Sequence, residues 1–159
     1  MIREMLGLAE GILQDLHNDH GEVDTLLTRI RDSSDPAERE RLFREMKVKL
    51  LPHLQAEQEV LYQRLEAGKS VDSRRFGYEG TSEHEAAEQQ VVKMMRLTDP
   101  MSDQWEGELK VLIDLIEHHV TEEESTGFSC ARDEFDTEEL EAMSRQFQAR
   151  KQELMAKVP

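Results

Sequence analysis

Four histidines and two glutamates in this 159-residue sequence recur in one pattern. A lone histidine, His20, is followed 33 residues later by His53 with Glu57 four positions on; a second lone histidine, His84, is followed 35 residues later by His119 with Glu123 four positions on. Residues four apart on a helix lie one turn apart on the same face, so each His-Glu pair can reach a common ion. Glutamate fills 24 of the 159 positions, so a given histidine meets one at i+4 about once in seven, and six histidines should yield fewer than one such pair. There are four: His53-Glu57, His84-Glu88, His118-Glu122 and His119-Glu123.

The elements that must position these side chains follow from periodicity. Aromatic residues are 5 % of the chain, Gly and Pro are scarce, and Leu, Met, Ala, Glu, Gln, Arg and Lys dominate, a helix-forming composition that predicts an all-α protein. A first helix is expected from about Ile2 to Arg31, with Leu6, Ala9, Leu13, Leu16, His20, Val23, Leu27 and Ile30 repeating at steps of three and four. Asp35-Pro36 reads as an N-cap and first helical position of a second helix, whose stripe is Leu42, Met46, Leu50, His53, Glu57 and Val60 and which Pro52 should kink. The stretch from Gly68 to Gly80 loses periodicity and reads as the longest loop, a hinge between two halves, after which Thr81 or Ser82 caps a third helix with His84, Ala87, Val91 and Met94 inward. A fourth helix after Ser102 carries Trp105, Leu109, Leu112, Ile116, His119 and Glu123, and is expected to end at Gly127. Asp136 and Glu139 have capping-box spacing for a fifth helix, about Thr137 to Lys157, with Leu140, Met143, Phe147 and Leu154 as its apolar side. The division is residues 1–130 as a bundle carrying the site and 131–159 as a helix packed on its outside.

Two helical hairpins packed as a four-helix bundle bring all four stripe histidines to one level of the core. Imidazoles and carboxylates in core register are costly unless paired or bound to metal, and repetition on four helices makes ligation the economical explanation. His17 and His118 fall off the stripe, and His118-Glu122 reads as a solvated ion pair. Four imidazole nitrogens and two carboxylates are too many donors for one tetrahedral zinc but suit two metals that share the carboxylates, with iron or manganese favoured by ligand type.

Charge and the remaining motifs narrow the classes. With 35 acidic and 20 basic residues the net charge is -15, which gives nucleic acid no electrostatic footprint as a partner. Arg3, Glu4 and Glu10 break the first residues too early for a signal peptide or membrane helix, and the lone Cys130 has no internal disulfide partner, so a reducing, cytoplasmic location is expected. Cys130 reads as a packing or loop thiol, Met94 and Met95 as core filler, and Lys69, Arg74 and Arg75 as a solvated basic loop.

These residues resemble the hemerythrin-like, or HHE cation-binding, family over about residues 10 to 130. HLQAE at His53 and HVTEE at His119 carry the resemblance, each with an aromatic five residues past its glutamate, Tyr62 and Phe128. The resemblance implies an up-down-up-down four-helix bundle and a non-heme di-iron centre of two iron ions held by His20, His53, Glu57, His84, His119 and Glu123, with other divalent metals able to take iron's place. It also implies a range of activities: binding of oxygen or another small diatomic, oxygen or iron sensing, iron handling, and enzyme chemistry on peroxide or nitric oxide; a sensor would signal through a protein partner. Oxygen-carrying members have a second histidine four residues after the one on the third helix; Glu88 stands there, free by sequence to ligate, to support a ligand or to face solvent.

His53→Ala or His119→Ala should lower bound metal, measured by elemental analysis, far more than His17→Ala or His118→Ala, and equal losses across the four would refute this register.

Overall fold

The computed structural model describes residues 10–159, and all regular structure among them is helical. The expected start of the first helix, with Leu6 and Ala9, lies outside the described residues.

Helix α1 (Ile12–Asp32) buries Leu13, Leu16, His20, Val23, Leu27 and Ile30, the stripe the periodicity marks. Asp35 caps α2 (Pro36–Glu57), its carboxylate accepting from the Ala37 N–H with Pro36 in the first turn. The helix runs through Pro52, then passes into a π-helical turn (Gln58–Tyr62) and a short α3 (Gln63–Glu66). Helix α5 (Asp103–Glu122), capped by Ser102, does the same: a second π turn (Glu123–Gly127) leads into α6 (Phe128–Glu134). Each π turn begins at or just after a site glutamate, and its closing bonds span five residues, Gln63 N–H to Gln58 O and Phe128 N–H to Glu123 O. In an α-helix the fifth residue onward is turned about 140° away from the starting face. The wider π turn brings it back, so Tyr62 and Phe128 return to the core below Glu57 and Glu123.

Two expectations about glycine fail for the same reason. The segment 68–80 is not a loop: α4 (Val71–Met95) begins there, capped by Ser70, which accepts from the Ser73 N–H, and not by Thr81 or Ser82. Gly127 likewise does not end its helix. These glycines mark close approach of neighbours. A Cβ at Gly77 would stand 2.8 Å from the Glu66 backbone nitrogen, one at Gly80 2.7 Å from the Tyr62 ring, and one at Gly127 2.5 Å from the Phe76 ring. The basic cluster is also partly structural, since Arg74 donates to the carbonyls of Gly68 and Lys69 at the start of α4.

Helix α7 (Thr137–Met155) is capped by Asp136, whose side chain accepts from the Glu139 N–H, and buries Leu140, Met143, Phe147 and Leu154 against α1 and α2. Cys130 and Met94 are core residues as expected, whereas Met95 is exposed.

The apolar core falls into two clusters. One gathers Leu13, Leu16, Leu61, Tyr62, Phe76, Phe128 and Phe147; the other gathers Val23, Leu27, Leu50, Ala87, Val91, Leu112 and Ile116. On α1, α4 and α5 the site residues sit in sequence between members of one cluster and members of the other, so the polar layer lies at the seam.

Glycine supplies the test of this packing. Gly107, in α5 with nothing within 4 Å of its would-be Cβ, should gain about 0.5–1 kcal/mol on change to Ala. Gly77→Ala should lose about 1–3 kcal/mol, because the obstructing atom is backbone and cannot swing aside. Urea unfolding of the two variants measures both; a gain at Gly77 would refute the close-packing account.

Candidate metal centre

The six residues singled out by spacing meet at that seam. All are buried, and Glu57 and Glu123 have no exposed surface. Glu57, His84, His119 and Glu123 each bring one donor atom within 4.8 Å of the others, a group able to hold a metal ion. His20 and His53 close the other side, with ring centroids 5.3 Å apart.

Each carboxylate touches histidines from both halves of the chain. Glu57 Oε1 lies 3.4 Å from His53 Nε2 and 3.2 Å from His84 Nε2. Glu123 presents Oε1 to His20 Nε2 at 3.0 Å and Oε2 to His119 Nε2 at 3.5 Å. These are close approaches without hydrogen-bond alignment: His20 Nε2, both Glu57 oxygens and Glu123 Oε1 are buried with no hydrogen-bond partner. Buried polar atoms are ordinarily satisfied, so four unpartnered ones aimed at one point describe a donor set without its acceptor.

Around the centre, every imidazole has its other nitrogen engaged. His53 Nδ1 is 2.8 Å from Asp19, His119 Nδ1 2.8 Å from Glu83, His20 Nδ1 2.7 Å from Glu124, and His84 Nδ1 3.1 Å from the Leu54 carbonyl. Such outer partners fix the ring so that Nε2 faces inward and raise its basicity as a ligand. Sequence reasoning missed them, although a signal was there. In both halves the acidic residue just before the lone histidine, Asp19 or Glu83, supports the second histidine of the same half, and Glu124 follows Glu123. Lys151 of α7 holds Asp19 from behind, with Nζ at 2.8 and 3.0 Å from its two oxygens.

The off-stripe residues lie outside. His17, its side chain 41 % exposed, shares Glu124 with His20. His118, 64 % exposed, pairs with Glu83 across the α4–α5 interface and not with Glu122 as expected. Glu88 is exposed on the outer face of α4, which removes it from the centre. A residue not counted among the donors is present: the Tyr62 hydroxyl donates to Glu123 Oε2 and stands 3.0 Å from His119 Nε2 and 3.3 Å from His84 Nε2.

Electrostatics show how the metal-free centre is balanced. Burial alone would lower the His20 and His119 pKa values, but the Glu123 carboxylate beside both rings, with Glu124 for His20 and Glu83 for His119, outweighs it and raises both to about 10. Burial likewise opposes ionisation of Glu123, yet His119 and His20 hold it well below the usual carboxylate range. Desolvation leaves His84 below its ordinary value. The raised histidines therefore supply positive charge beside the Glu123 carboxylate.

A histidine raised in the fold contributes stability that is fully present below its unfolded pKa of 6.5 and is lost as pH rises through about 10. The metal-free protein should therefore lose thermal stability between pH 6.5 and 10. Metal must displace these protons, so zinc(II) affinity measured by chelator competition should keep rising across the same interval. An affinity already flat between pH 7 and 9 would contradict the assignment.

A curated relative from Nostoc sp. (strain PCC 7120 / SAG 25.82 / UTEX 2576), named DNA nickase, is 28 % identical over 140 residues, covering 88 % of this chain. The chain spans 39 % of that relative's length. No solved structure matches. The hemerythrin HHE cation binding domain matches residues 11–131, which contain all six clustered residues. The chain belongs to the hemerythrin HHE cation-binding family.

Proposed function

We propose that the chain binds two iron ions in a dinuclear centre whose ligands are His20, His53, Glu57, His84, His119 and Glu123, and that this centre takes up oxygen or another small diatomic, as a carrier or a sensor. The observation that carries the reading is the set of buried, unpartnered donor atoms facing one another while every imidazole is fixed from outside. The donor set fits iron, since mixed imidazole and carboxylate ligation suits it and two carboxylates reached from both sides suit a shared pair of ions. When bound, iron supplies redox chemistry and an open position for a small molecule. The chain's part is to hold the imidazoles neutral at Nε2 and to keep bulk water out.

In this reading α1, α2, α4 and α5 form an up-down-up-down four-helix bundle within residues 1–130, and residues 131–159 add the helix docked on it. A groove of about 390 Å³ between α1 and α5, lined by His17, His20, Leu27, Ile116 and Val120, abuts the His20 side and gives a small molecule its approach. A sensor would signal to a protein partner through α7, which touches the centre by way of Lys151. No helix among the described residues is long and apolar enough to cross a membrane, and the reading places the protein in the cytoplasm.

Anaerobic iron(II) loading followed by elemental analysis should give two irons per chain, and Glu57→Gln or Glu123→Gln should reduce it to one or none. Admission of oxygen should change the visible spectrum of the loaded protein. Fewer than one iron per chain would sink the reading; peroxide or nitric oxide turnover above that of free iron would select the enzyme alternative. The relative's name prompts a second test. A net charge of -15 and fully buried carboxylates give DNA phosphates no approach to this centre, so purified loaded protein should leave supercoiled plasmid intact.

A further inference from the structure

We propose that Tyr62 is a further ligand of this centre, its phenolate oxygen binding the ion on the His84–His119 side. The proposal rests on the dinuclear reading above and adds a residue that reading does not use.

The hydroxyl is placed among the donors and not beside them. It contacts Glu123 Oε2 and lies within 3.3 Å of the two Nε2 atoms that face the ion position, His84 and His119, which are themselves 2.9 Å apart. A phenol has one proton to donate, and Glu123 takes it, which leaves the oxygen's lone pairs facing the two Nε2 atoms. A cation within the group satisfies all four atoms together. Binding it breaks the O–H bond, forms a metal–oxygen bond and releases the proton to solvent, as a cation does to other acidic ligands.

Packing alone does not require the oxygen. Phe128 holds the corresponding place in the second half, five residues after Glu123, and is equally buried without a hydroxyl. The backbone nevertheless makes particular room for Tyr62. The π turn brings it back to the Glu57 face, Gly80 leaves the space its ring fills, and the Phe76 ring meets its edge at a centroid distance of 5.8 Å. The ring is thereby held with its oxygen inward. Glu88, the other candidate for an additional donor on this side, faces solvent.

The sequence has two tyrosines, and the second, Tyr78, is 62 % exposed, so spectroscopy can assign the signal. Protein loaded with iron(II) and oxidised in air should show a phenolate-to-iron(III) absorption band and resonance-enhanced phenolate ring vibrations. Tyr78→Phe should keep both. Tyr62→Phe should lose both and hold one of its two ions about tenfold more weakly in chelator competition, a loss typical of altered metal surroundings. Should Tyr62→Phe fail to fold, Tyr78→Phe decides alone, because Tyr62 is then the sole phenol. Two irons bound with no phenolate signal would overturn this proposal and leave the dinuclear reading standing; no iron bound would overturn both.

Discussion

The structure is organised around two carboxylates, Glu57 and Glu123, that sit at its centre without any contact with water. An unpaired buried carboxylate costs several kcal/mol even after the surroundings relax, so it dictates what must surround it. Here the surroundings include four imidazoles. Protons on His20 and His119, whose pKa values are raised, supply positive charge beside Glu123; on the proposed reading cations would take that part, with the imidazoles neutral. Binding is then an exchange of protons for cations in a fixed cage.

That cage extends beyond the ligands. Asp19 is held near pKa 2: burial would raise it, but His53 and Lys151 both lower it, so it stays an anion able to accept from His53 Nδ1. Lys151 belongs to α7, and the same helix sets the Phe147 ring edge-on to His53 at 5.6 Å. The C-terminal helix is therefore not passive cover. A shift of α7 on α1 and α2 would move the support of one ligand, which ties the orientation of that helix to the state of the centre.

Much of this was legible in the sequence because burial follows helical period. His20, His53, Glu57, His84, His119 and Glu123 fall on apolar stripes, and each is buried. The caps at Asp35, Ser102 and Asp136 were equally legible, since a side-chain oxygen before an apolar run leaves little choice. What failed was the reading of glycine. In a single sequence, a glycine that breaks a helix and one that lets another helix approach look alike, and Gly77, Gly80 and Gly127 are of the second kind. The π turns were hidden for a related reason: they change the period only locally, and their trace was an aromatic at an α-helically wrong position, five past each glutamate. The outer acids were hidden because their partners lie across helix interfaces, as His118 and Glu83 show.

The two halves share a backbone plan yet differ in chemistry, and the difference has a direction. On the His20–His53 side the outer partners are two carboxylates, Glu124 and Asp19, and the α1–α5 groove opens beside His20. On the His84–His119 side one outer partner is a neutral carbonyl, that of Leu54, and the Tyr62 hydroxyl stands at the Nε2 atoms of both rings. Carboxylate support makes an imidazole a stronger donor, and a neutral carbonyl does less. Two ions in this cage would therefore be unequal: one held by better-supported histidines beside the groove, the other enclosed beneath a buried ring. On the proposed reading a small molecule entering from the groove would reach the His20–His53 side first. A symmetric pair of hairpins thus builds an asymmetric centre, with the inequality written in side chains that are not on the ligand stripe at all.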